Sequence, residues 1–319
     1  MSDFLARPDL QLLPLPYIAE RTRTAAFFVP TAPGAIQRLL DATLNAAAST
    51  HGQRFRPLLG MDYVALTFIH YPSLYSLQSD LAPEDRWGVF QYDECAVFLL
   101  LEDTQSGGLG PCWHVPFLIL NDGIAMILGR EVYGMPKVMG HVSTAPLLAD
   151  DWMEAPLAGA FSAAPEVFAT RGAARKPETA KVAEVALKTP HPLPLDVPLY
   201  NPIPRGIRDF VGRLIQPAFF ESPVFRLMQA FIGELLPGVF LKEFPSADGT
   251  RQAVYRRLLR ADFTPTEIGA VRYVSAEAKL FDPASYPLAS VFGVAPGVAL
   301  PVSGIFAEIS WVLPTADEL

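Results

Sequence analysis

The chain has 319 residues, of which 50% are hydrophobic and 18% charged, so it is not a disordered protein and can form one large domain or two ordinary ones. The net charge is -8, and no run of Lys and Arg is long enough to follow a phosphate backbone, so we expect no nucleic-acid partner. Two cysteines without a CxxC pair and five scattered histidines exclude a disulfide scaffold and give no support to a metal site.

The N-terminal sequence and the apolar runs carry no membrane signal. Charged residues interrupt the first ten positions, which therefore do not resemble a signal peptide. The longest apolar stretches, around 98–101 and 115–128, are short or broken by polar residues and do not span a bilayer. We therefore expect no membrane partner and, by default, a cytoplasmic location.

The first half of the chain is predicted to begin with a helix and to continue mainly as strands. Residues 33–48 carry apolar side chains at helical spacing, which predicts an amphipathic helix. Strand-like runs follow at 63–70, 96–101 and 115–120, separated by turn-rich pieces. Another apolar run lies at 124–128.

The second half changes character twice. Residues 145–200 are rich in Ala and Pro and predict short strands mixed with loops. Apolar residues recur at helical spacing over 205–237 and predict two amphipathic helices, the second beginning at Ser222-Pro223. Residues 239–313 return to strands and turns, with a hairpin-type turn at Asp248-Gly249.

The order of these elements predicts an α+β protein with much strand, ending in a strand at 306–313. The regular alternation of strands and helices that builds a doubly wound sheet is absent. We expect a single domain over 1–319 with a helical insertion at about 200–238. That insertion would cap a pocket, build a subunit interface, or simply pack on the sheet.

Motifs of common catalytic sites are missing. There is no GxGxxG after a strand, no GxxxxGK[ST] and no GxSxG, which excludes dinucleotide, P-loop and serine-elbow sites, and we expect no cofactor. The segment GREVYGMPKVMG at 129–140 remains, with Lys137 among apolar neighbours. Burial would disfavour the ammonium form and lower the pKa of the amine, which then attacks ketones. The alternative is a surface lysine whose stem lies along an apolar strand end.

This segment resembles the signature of the acetoacetate decarboxylase family, in which GRE is followed at a distance by PK. Other pieces are similar to family elements in the same order, over about residues 15–165 and 238–313. These pieces are Tyr92-Asp93-Glu94-Cys95, Lys242-Glu243-Phe244-Pro245 with Asp248-Gly249, and Phe281-Asp282-Pro283. The resemblance implies the family's fold, a mainly antiparallel curved β-sheet or barrel with flanking helices, and it implies homo-oligomers.

The resemblance also implies roles for particular residues. Lys137 matches the Schiff-base lysine, and Glu94 matches a glutamate that handles protons near the imine; a strand-edge carboxylate is the alternative for Glu94. A family arginine near the N-terminus holds the substrate carboxylate, and Arg21 or Arg23 lies in the matching region, although either is equally well a surface arginine. Three further residues are expected to contact the substrate: Tyr92, Tyr133 and Met135.

Two departures from the family pattern bear on the chemistry. The family decarboxylases carry a second lysine after the nucleophile, and this chain has Val138 there; a second family glutamate falls near Thr67, where no carboxylate occurs. Any lowering of the Lys137 pKa must then come from burial, which shifts buried lysines by up to roughly 3–5 units. The missing second lysine therefore bears more on decarboxylation than on imine formation.

Three functions stay open from the sequence. The first is a lyase that forms a Schiff base between Lys137 and a small keto acid, acting as a decarboxylase or decarboxylase-like enzyme on a specialised substrate of secondary metabolism. The second uses the same imine on a 2-oxo acid, as an aldolase-dehydratase or a cyclase. The third is a non-catalytic small-molecule binding protein with the same fold.

Overall fold

A computed structural model describes nine stretches of the chain: residues 13–48, 54–77, 90–105, 107–153, 159–168, 177–188, 236–246, 252–283 and 286–319. The strands in these stretches are β1 Tyr17–Pro30, β2 Phe55–Pro57, β3 Tyr63–Ser76, β4 Phe90–Asp103, β5 Gly110–Leu120, β6 Lys137–Ser143, β7 Ala160–Phe168, β8 Pro177–Thr179, β9 Ala183–Leu187, β10 Gly238–Pro245, β11 Ala253–Ala261, β12 Thr264–Leu280, β13 Leu300–Leu313 and β14 Asp317–Glu318. The helices are α1 Ala35–Ala42, α2 Leu44–Ala48, α3 Gly123–Leu128, α4 Ala145–Leu148 and α5 Leu288–Phe292, with a 3₁₀ turn at Leu58–Gly60 and a π-helical turn at Gly129–Tyr133.

The strands form one sheet whose pairings close into a ring. Neighbours follow the order β14-β11-β10-β5-β6-β7-β9-β12-β13-β1-β3-β4-β2, and β8 pairs with β7. Because β4 also pairs with β5, the path from β5 through β6, β7, β9, β12, β13, β1 and β3 returns to β4 and back to β5. Among the described pairs, only β5–β6 and β10–β5 are parallel. The predicted class, a mainly antiparallel curved sheet or barrel with flanking helices, is confirmed.

The elements predicted in the first half of the chain are confirmed, with longer strands than expected. β3, β4 and β5 contain the three predicted runs, and the apolar run at 124–128 forms α3. The helix predicted over 33–48 is two helices, α1 and α2, because the backbone leaves helical geometry at Thr43. The hydroxyl of Thr43 donates to the carbonyl of Leu39, a local bond that competes with helix continuation.

Phe27 stands at the centre of the main apolar core. Its ring centroid lies 5.4 Å from that of Phe161, 6.3 Å from that of Phe306 and 6.4 Å from that of Phe68. These four rings come from four strands of the closed ring, β1, β7, β13 and β3. Each such pair contributes about 0.5–1.5 kcal/mol beyond its buried area, so the strands are held rigidly against one another.

The side chains of β4 alternate between two apolar clusters. Cys95, Val97 and Leu99 belong to the main core, whereas Tyr92 and Ala96 belong to a second cluster on the other face. This alternation follows from the two-residue period of a strand. The second cluster surrounds the candidate site, so the main core supports the site from behind.

The predicted helices at 205–237, and with them nearly all of the insertion expected at about 200–238, lie outside the described residues. The turn expected at Asp248-Gly249 lies outside them as well, although β10 and β11 on either side of it pair antiparallel as a hairpin would. The last predicted strand, 306–313, is the second half of β13. No helix within the described stretches is long and apolar enough to cross a membrane.

Candidate active site

Strands β4, β5 and β6 bring the two candidate catalytic residues together. Glu94 on β4 pairs with Leu120 on β5, and Lys137, the first residue of β6, pairs with Leu118 on the other side of β5. Leu118 and Leu120 face the same side of β5 because strand side chains alternate. The side chains of Glu94 and Lys137 therefore rise from the same face of three neighbouring strands and meet above β5.

The Lys137 amine and the Glu94 carboxylate form a buried pair. Nζ lies 3.3 Å from Oε2, and the two side chains are only 7% and 5% exposed. The ring of Tyr92, two residues before Glu94, lies 5.6 Å from Nζ, within cation–π range. The amine and the carboxylate are therefore within direct reach of each other in surroundings that exclude most of the solvent.

The segment before Lys137 is shaped by a helix start and two glycines. Asp122 caps α3 by accepting a hydrogen bond from the backbone N–H of Ala125 at 2.7 Å. The π-helical turn then ends at Gly134, whose φ of 75° is left-handed, a conformation suited to glycine. A Cβ on Gly129 would lie 2.4 Å from Cε of Lys137, so the missing side chain of Gly129 makes room for the lysine stem.

A cavity of about 130 Å³ opens beside the Lys137 amine. Its wall is mainly aromatic and aliphatic, and it includes Tyr92, Tyr133 and Met135, which the sequence analysis placed near the substrate. Among the described residues that line it, Lys137 and Glu94 are the only ones with charged side chains. The geometry thus presents a buried amine and a carboxylate at the wall of an otherwise apolar chamber.

Two stacked tyrosines continue the wall next to Glu94. The rings of Tyr71 and Tyr92 are 4.4 Å apart and almost parallel, at 11°. The pKa of Tyr92 is raised well above its usual value, mainly by burial and then by the neighbouring Tyr71 and the Glu94 carboxylate. The pKa of Tyr71 is raised in the same way by burial and by Glu94. Both hydroxyls therefore keep their protons, and the hydroxyl of Tyr92 donates a hydrogen bond to that of Tyr71. Tyr71 is not predictable from its local sequence, because only the pairing of β3 with β4 brings it to the site.

A polar cluster behind the site fixes the strands that carry it. The carboxylate of Asp93, adjacent to Glu94 in sequence, accepts hydrogen bonds from Thr144 at 2.6 Å and from Asn121 at 3.2 Å, and it lies 2.9 Å from Nδ1 of His70. Burial raises the pKa of Asp93, but these partners outweigh it and hold the pKa below its usual value. The cluster links β3, β4 and the end of β6, and so fixes the height of Glu94 relative to Lys137.

The two N-terminal arginines do not lie at the cavity, contrary to the expectation that one of them binds a substrate carboxylate there. Arg21 is 71% exposed and pairs with Glu308 at 3.2 Å. Arg23 donates to the carbonyl of Leu147 at 2.7 Å and lies over the ring of Trp152. The physical reason is a β-bulge in β1 between Ala19 and Thr22, which turns the arginine side chains to the other face.

Neither departure from the family pattern provides a lining residue of the cavity, although Thr67 shares a face of β3 with the lining residues Ile69 and Tyr71. Val138 follows Lys137 on β6 and packs against the main core, as strand alternation requires. Thr67 is fully buried on β3, with its hydroxyl 3.4 Å from the carbonyl of Ala65. Neither residue lines the cavity. Within the described part of the chain, no three His, Cys, Asp or Glu side chains are grouped as metal ligands.

A family model for acetoacetate decarboxylase matches residues 6–166, half of the chain, including both Glu94 and Lys137. The chain belongs to the acetoacetate decarboxylase family. No curated protein matches the sequence. The sequence resemblance is thereby confirmed at the level of the family.

Several solved structures share the fold at low sequence identity. An acetoacetate decarboxylase from Legionella pneumophila is 13% identical, with a TM-score of 0.58, over 99% of this chain and 93% of its own. The enduracididine biosynthesis enzyme MppR, complexed with pyruvate, is 19% identical, with a TM-score of 0.58, over 98% of this chain and 93% of its own. An acetoacetate decarboxylase-like enzyme from Sphingomonas wittichii RW1 is 10% identical, with a TM-score of 0.61, over 100% of this chain and 98% of its own. At these identities the likeness establishes the fold alone.

Proposed function

We propose that this acetoacetate decarboxylase family protein is a lyase that forms a Schiff base between Lys137 and a keto acid and then removes carbon dioxide from it. One observation carries the proposal: the buried Lys137 amine lies 3.3 Å from the Glu94 carboxylate, at the wall of an apolar cavity. A lysine in such surroundings is suited to nucleophilic attack on a carbonyl group.

In the proposed mechanism, Glu94 frees the amine for attack. Transfer of one proton from Lys137 to Glu94 converts the ion pair into a neutral amine and a carboxylic acid without changing the net charge of the pair. In apolar surroundings the neutral pair avoids the desolvation penalty that two charged groups carry. The short distance between Nζ and Oε2 lets this transfer occur directly.

The reaction then follows from the chemistry of an iminium ion. The neutral amine adds to the ketone carbon and water leaves, which gives a protonated imine on Lys137. If the carboxylate is β to that carbon, the bond to it breaks, its electron pair moves to the imine nitrogen, and carbon dioxide departs. Because departure of water uses the proton of the Glu94 acid, the Glu94 carboxylate then takes a proton from solvent and passes it to carbon of the enamine. Water hydrolyses the resulting imine and releases the ketone and the free lysine.

The charge of the cavity favours a β-keto acid over a 2-oxo acid. An aldolase-dehydratase or cyclase retains the substrate carboxylate throughout and needs a cation to hold it. In the described part of the wall the only cation is Lys137 itself, which the imine uses. A β-carboxylate, in contrast, leaves as a neutral molecule, so an apolar wall favours its departure. The MppR structures with pyruvate indicate that this fold can hold a keto acid, and the 2-oxo acid reaction is the alternative outcome of the test.

Borohydride trapping tests the proposal. Incubation of the full-length protein with a β-keto acid and sodium borohydride should attach the reduced ketone to the peptide that contains Lys137, as read by mass spectrometry, and carbon dioxide should be released without the reductant. Lys137→Met should abolish both. Lys242→Met is the matched control, because Lys242 is a partly buried lysine whose pKa is lowered by burial and which lies outside the cavity lining.

Glu94→Gln separates catalysis from simple binding. Loss of the proton acceptor should slow carbon dioxide release by about 10²–10⁴-fold while the fold is kept. An adduct with pyruvate but none with β-keto acids would support the 2-oxo acid reaction. The absence of an adduct with every keto acid would leave the protein a non-catalytic binder and refute the proposal.

A further inference from the structure

The cavity is far more apolar than a small keto acid requires. Nine of its lining residues are aromatic, whereas acetoacetate offers one methyl group for them to contact. Aromatic side chains provide large apolar contact area and usually dominate the binding of apolar ligands. This mismatch between wall and ligand suggests a substrate with a larger apolar part.

Four aromatic side chains of the wall already use their polar atoms within the protein. The hydroxyl of Tyr17 donates to the carbonyl of Leu13 at 2.8 Å, and that of Tyr133 donates to Pro314 at 2.6 Å. The indole N–H of Trp113 donates to the carbonyl of Leu236 at 2.9 Å, and that of Trp311 donates to the hydroxyl of Thr22 at 2.8 Å. These four rings therefore offer a ligand only apolar surface.

The apolar wall extends well beyond the reacting atoms. Glu94, Phe98 and Leu100 all line the cavity from the same face of β4, so the lining continues for about 14–20 Å along the strand from Glu94. At that distance Phe98 and Phe263 flank Trp113, with ring centroids 5.3 and 5.2 Å from the indole. Phe98, Trp113 and Phe263 form an aromatic end to the chamber, which we call the distal box.

We infer that the substrate of the Lys137 site is a β-keto acid whose ketone carries a long apolar tail, which lies along β4 and ends in the distal box. This inference rests on the proposed function, since it names the substrate class of the same site. The ketone and carboxylate lie at Lys137 and Glu94, the only charged groups in the described lining. An uncharged alkyl or aryl tail fits the remaining wall, and a polar or charged tail would lose its hydration without partners.

A chain-length series tests the inference on the full-length protein. Acetoacetate and 3-oxodecanoate differ by six methylene groups, and each buried methylene is worth about fourfold in binding. With only half of them buried in the transition state, kcat/KM for 3-oxodecanoate should exceed that for acetoacetate by at least about 50-fold. Release of carbon dioxide is measured against the spontaneous rate of each acid.

Two aromatic variants localise the tail. Phe263→Ala opens the distal box and should lower the ratio of the two kcat/KM values at least about tenfold. Phe244→Ala is the matched control, because Phe244 is a partly buried aromatic residue on β10 that is not in the cavity lining. In Phe244→Ala, the ratio of kcat/KM for 3-oxodecanoate to kcat/KM for acetoacetate should equal that of the wild-type protein.

A binding experiment without catalysis separates this inference from the proposed function. In Lys137→Met, which cannot form an imine, 2-nonanone should quench the fluorescence of Trp113 and Trp311, whereas acetone should not. If no keto acid gives an adduct but 2-nonanone binds in this way, the lyase is refuted and the apolar ligand class is supported. Equal kcat/KM values for both acids would overturn the inference and leave the lyase intact. The absence of both quenching and chain-length preference would overturn the inference outright.

Discussion

Gly129 is the residue whose substitution tests the site geometry most directly. An alanine there would place its Cβ 2.4 Å from Cε, 2.5 Å from Cδ and 3.0 Å from Nζ of Lys137. Carbon atoms in contact are separated by about 3.5–4.0 Å, so the lysine stem must move by about 1 Å or more. The backbone of Gly129 has ordinary helical geometry, so the added methyl group acts on Lys137 rather than on the chain itself.

A displacement of that size should abolish most of the chemistry while the protein stays folded. A shift of about 1 Å in a reacting group costs about 10²-fold in rate, so Gly129→Ala should trap ketones at Lys137 about 100 times more slowly than wild type. Because the crowded atoms are the flexible end of a side chain, the loss of unfolding free energy should stay at or below about 1 kcal/mol. The assay combines the initial rate of borohydride adduct formation with urea unfolding of the same samples.

Two comparisons make the result interpretable. Gly123→Ala, six residues earlier, adds the same methyl group where no atom lies within 4 Å, and it should trap at the wild-type rate. In a Lys137→Ala background the crowding is gone, so Gly129→Ala should no longer reduce stability, and a double-mutant cycle reports that coupling. Trapping by Gly129→Ala at the wild-type rate would refute the geometry, because the amine would then not depend on this space.

Two further predictions concern stability. Burial lowers the pKa of His114 from 6.5 to about 4, so its neutral form stabilises the fold fully above about pH 6.5, and that contribution is lost as pH falls towards 4. Between pH 7.5 and 5 the free energy of unfolding should fall by about 2 kcal/mol for this reason. In urea unfolding, His114→Gln should remove this pH dependence, whereas substitution of the exposed His141 by Gln should leave it unchanged. Arg54 donates two hydrogen bonds to the fully buried Asp103 carboxylate, so Arg54→Met should cost about 3 kcal/mol. Arg56→Met, which breaks a half-exposed pair on the same strands, should cost at most about 1 kcal/mol, and equal costs would contradict this assignment.

The pair of Lys137 and Glu94 is the part of the candidate site that the sequence predicts best, because short motifs contain both residues. Lys137 follows Pro136 in the GRE–PK signature, and Glu94 stands in a Tyr-x-Glu element, so each is identified without knowledge of the fold. Strand alternation then requires that Tyr92 share the face of Glu94. The motifs do not show how the two residues meet in space. Only the strand pairing shows that β5 lies between them and that their side chains contact each other above it.

The cavity wall is predicted poorly, because it is assembled from residues distant in sequence. Tyr71, Trp113 and Phe263 come from β3, β5 and the connection before β12, and each alone is an ordinary apolar residue of a strand or its end. Periodicity assigns such a residue to one face of its own strand, but not to the neighbours that the face will meet. Substrate size therefore becomes visible only in the assembled structure.

The position of the arginines shows how one extra residue redirects a strand. Tyr17 and Ala19 belong to the cluster around the cavity, so strict alternation would send the two arginines that follow at odd positions to the same side. Between Ala19 and Thr22, β1 advances three residues while β13 advances two, which is a β-bulge. After the bulge the odd residues, beginning with Ala25 and Phe27, belong to the main core instead.

The bulge places a hydroxyl at the edge of the site where a guanidinium was expected. Thr22 now accepts the indole N–H of Trp311, a cavity residue, while Arg21 takes a left-handed φ of 50° and points to solvent. No residue in the local sequence marks the bulge as glycine would, so alternation alone misassigns the face. Because of the bulge, the described wall contains no arginine side chain, which would bind a carboxylate firmly. A substrate that loses its carboxylate during the reaction is the kind that such a wall favours.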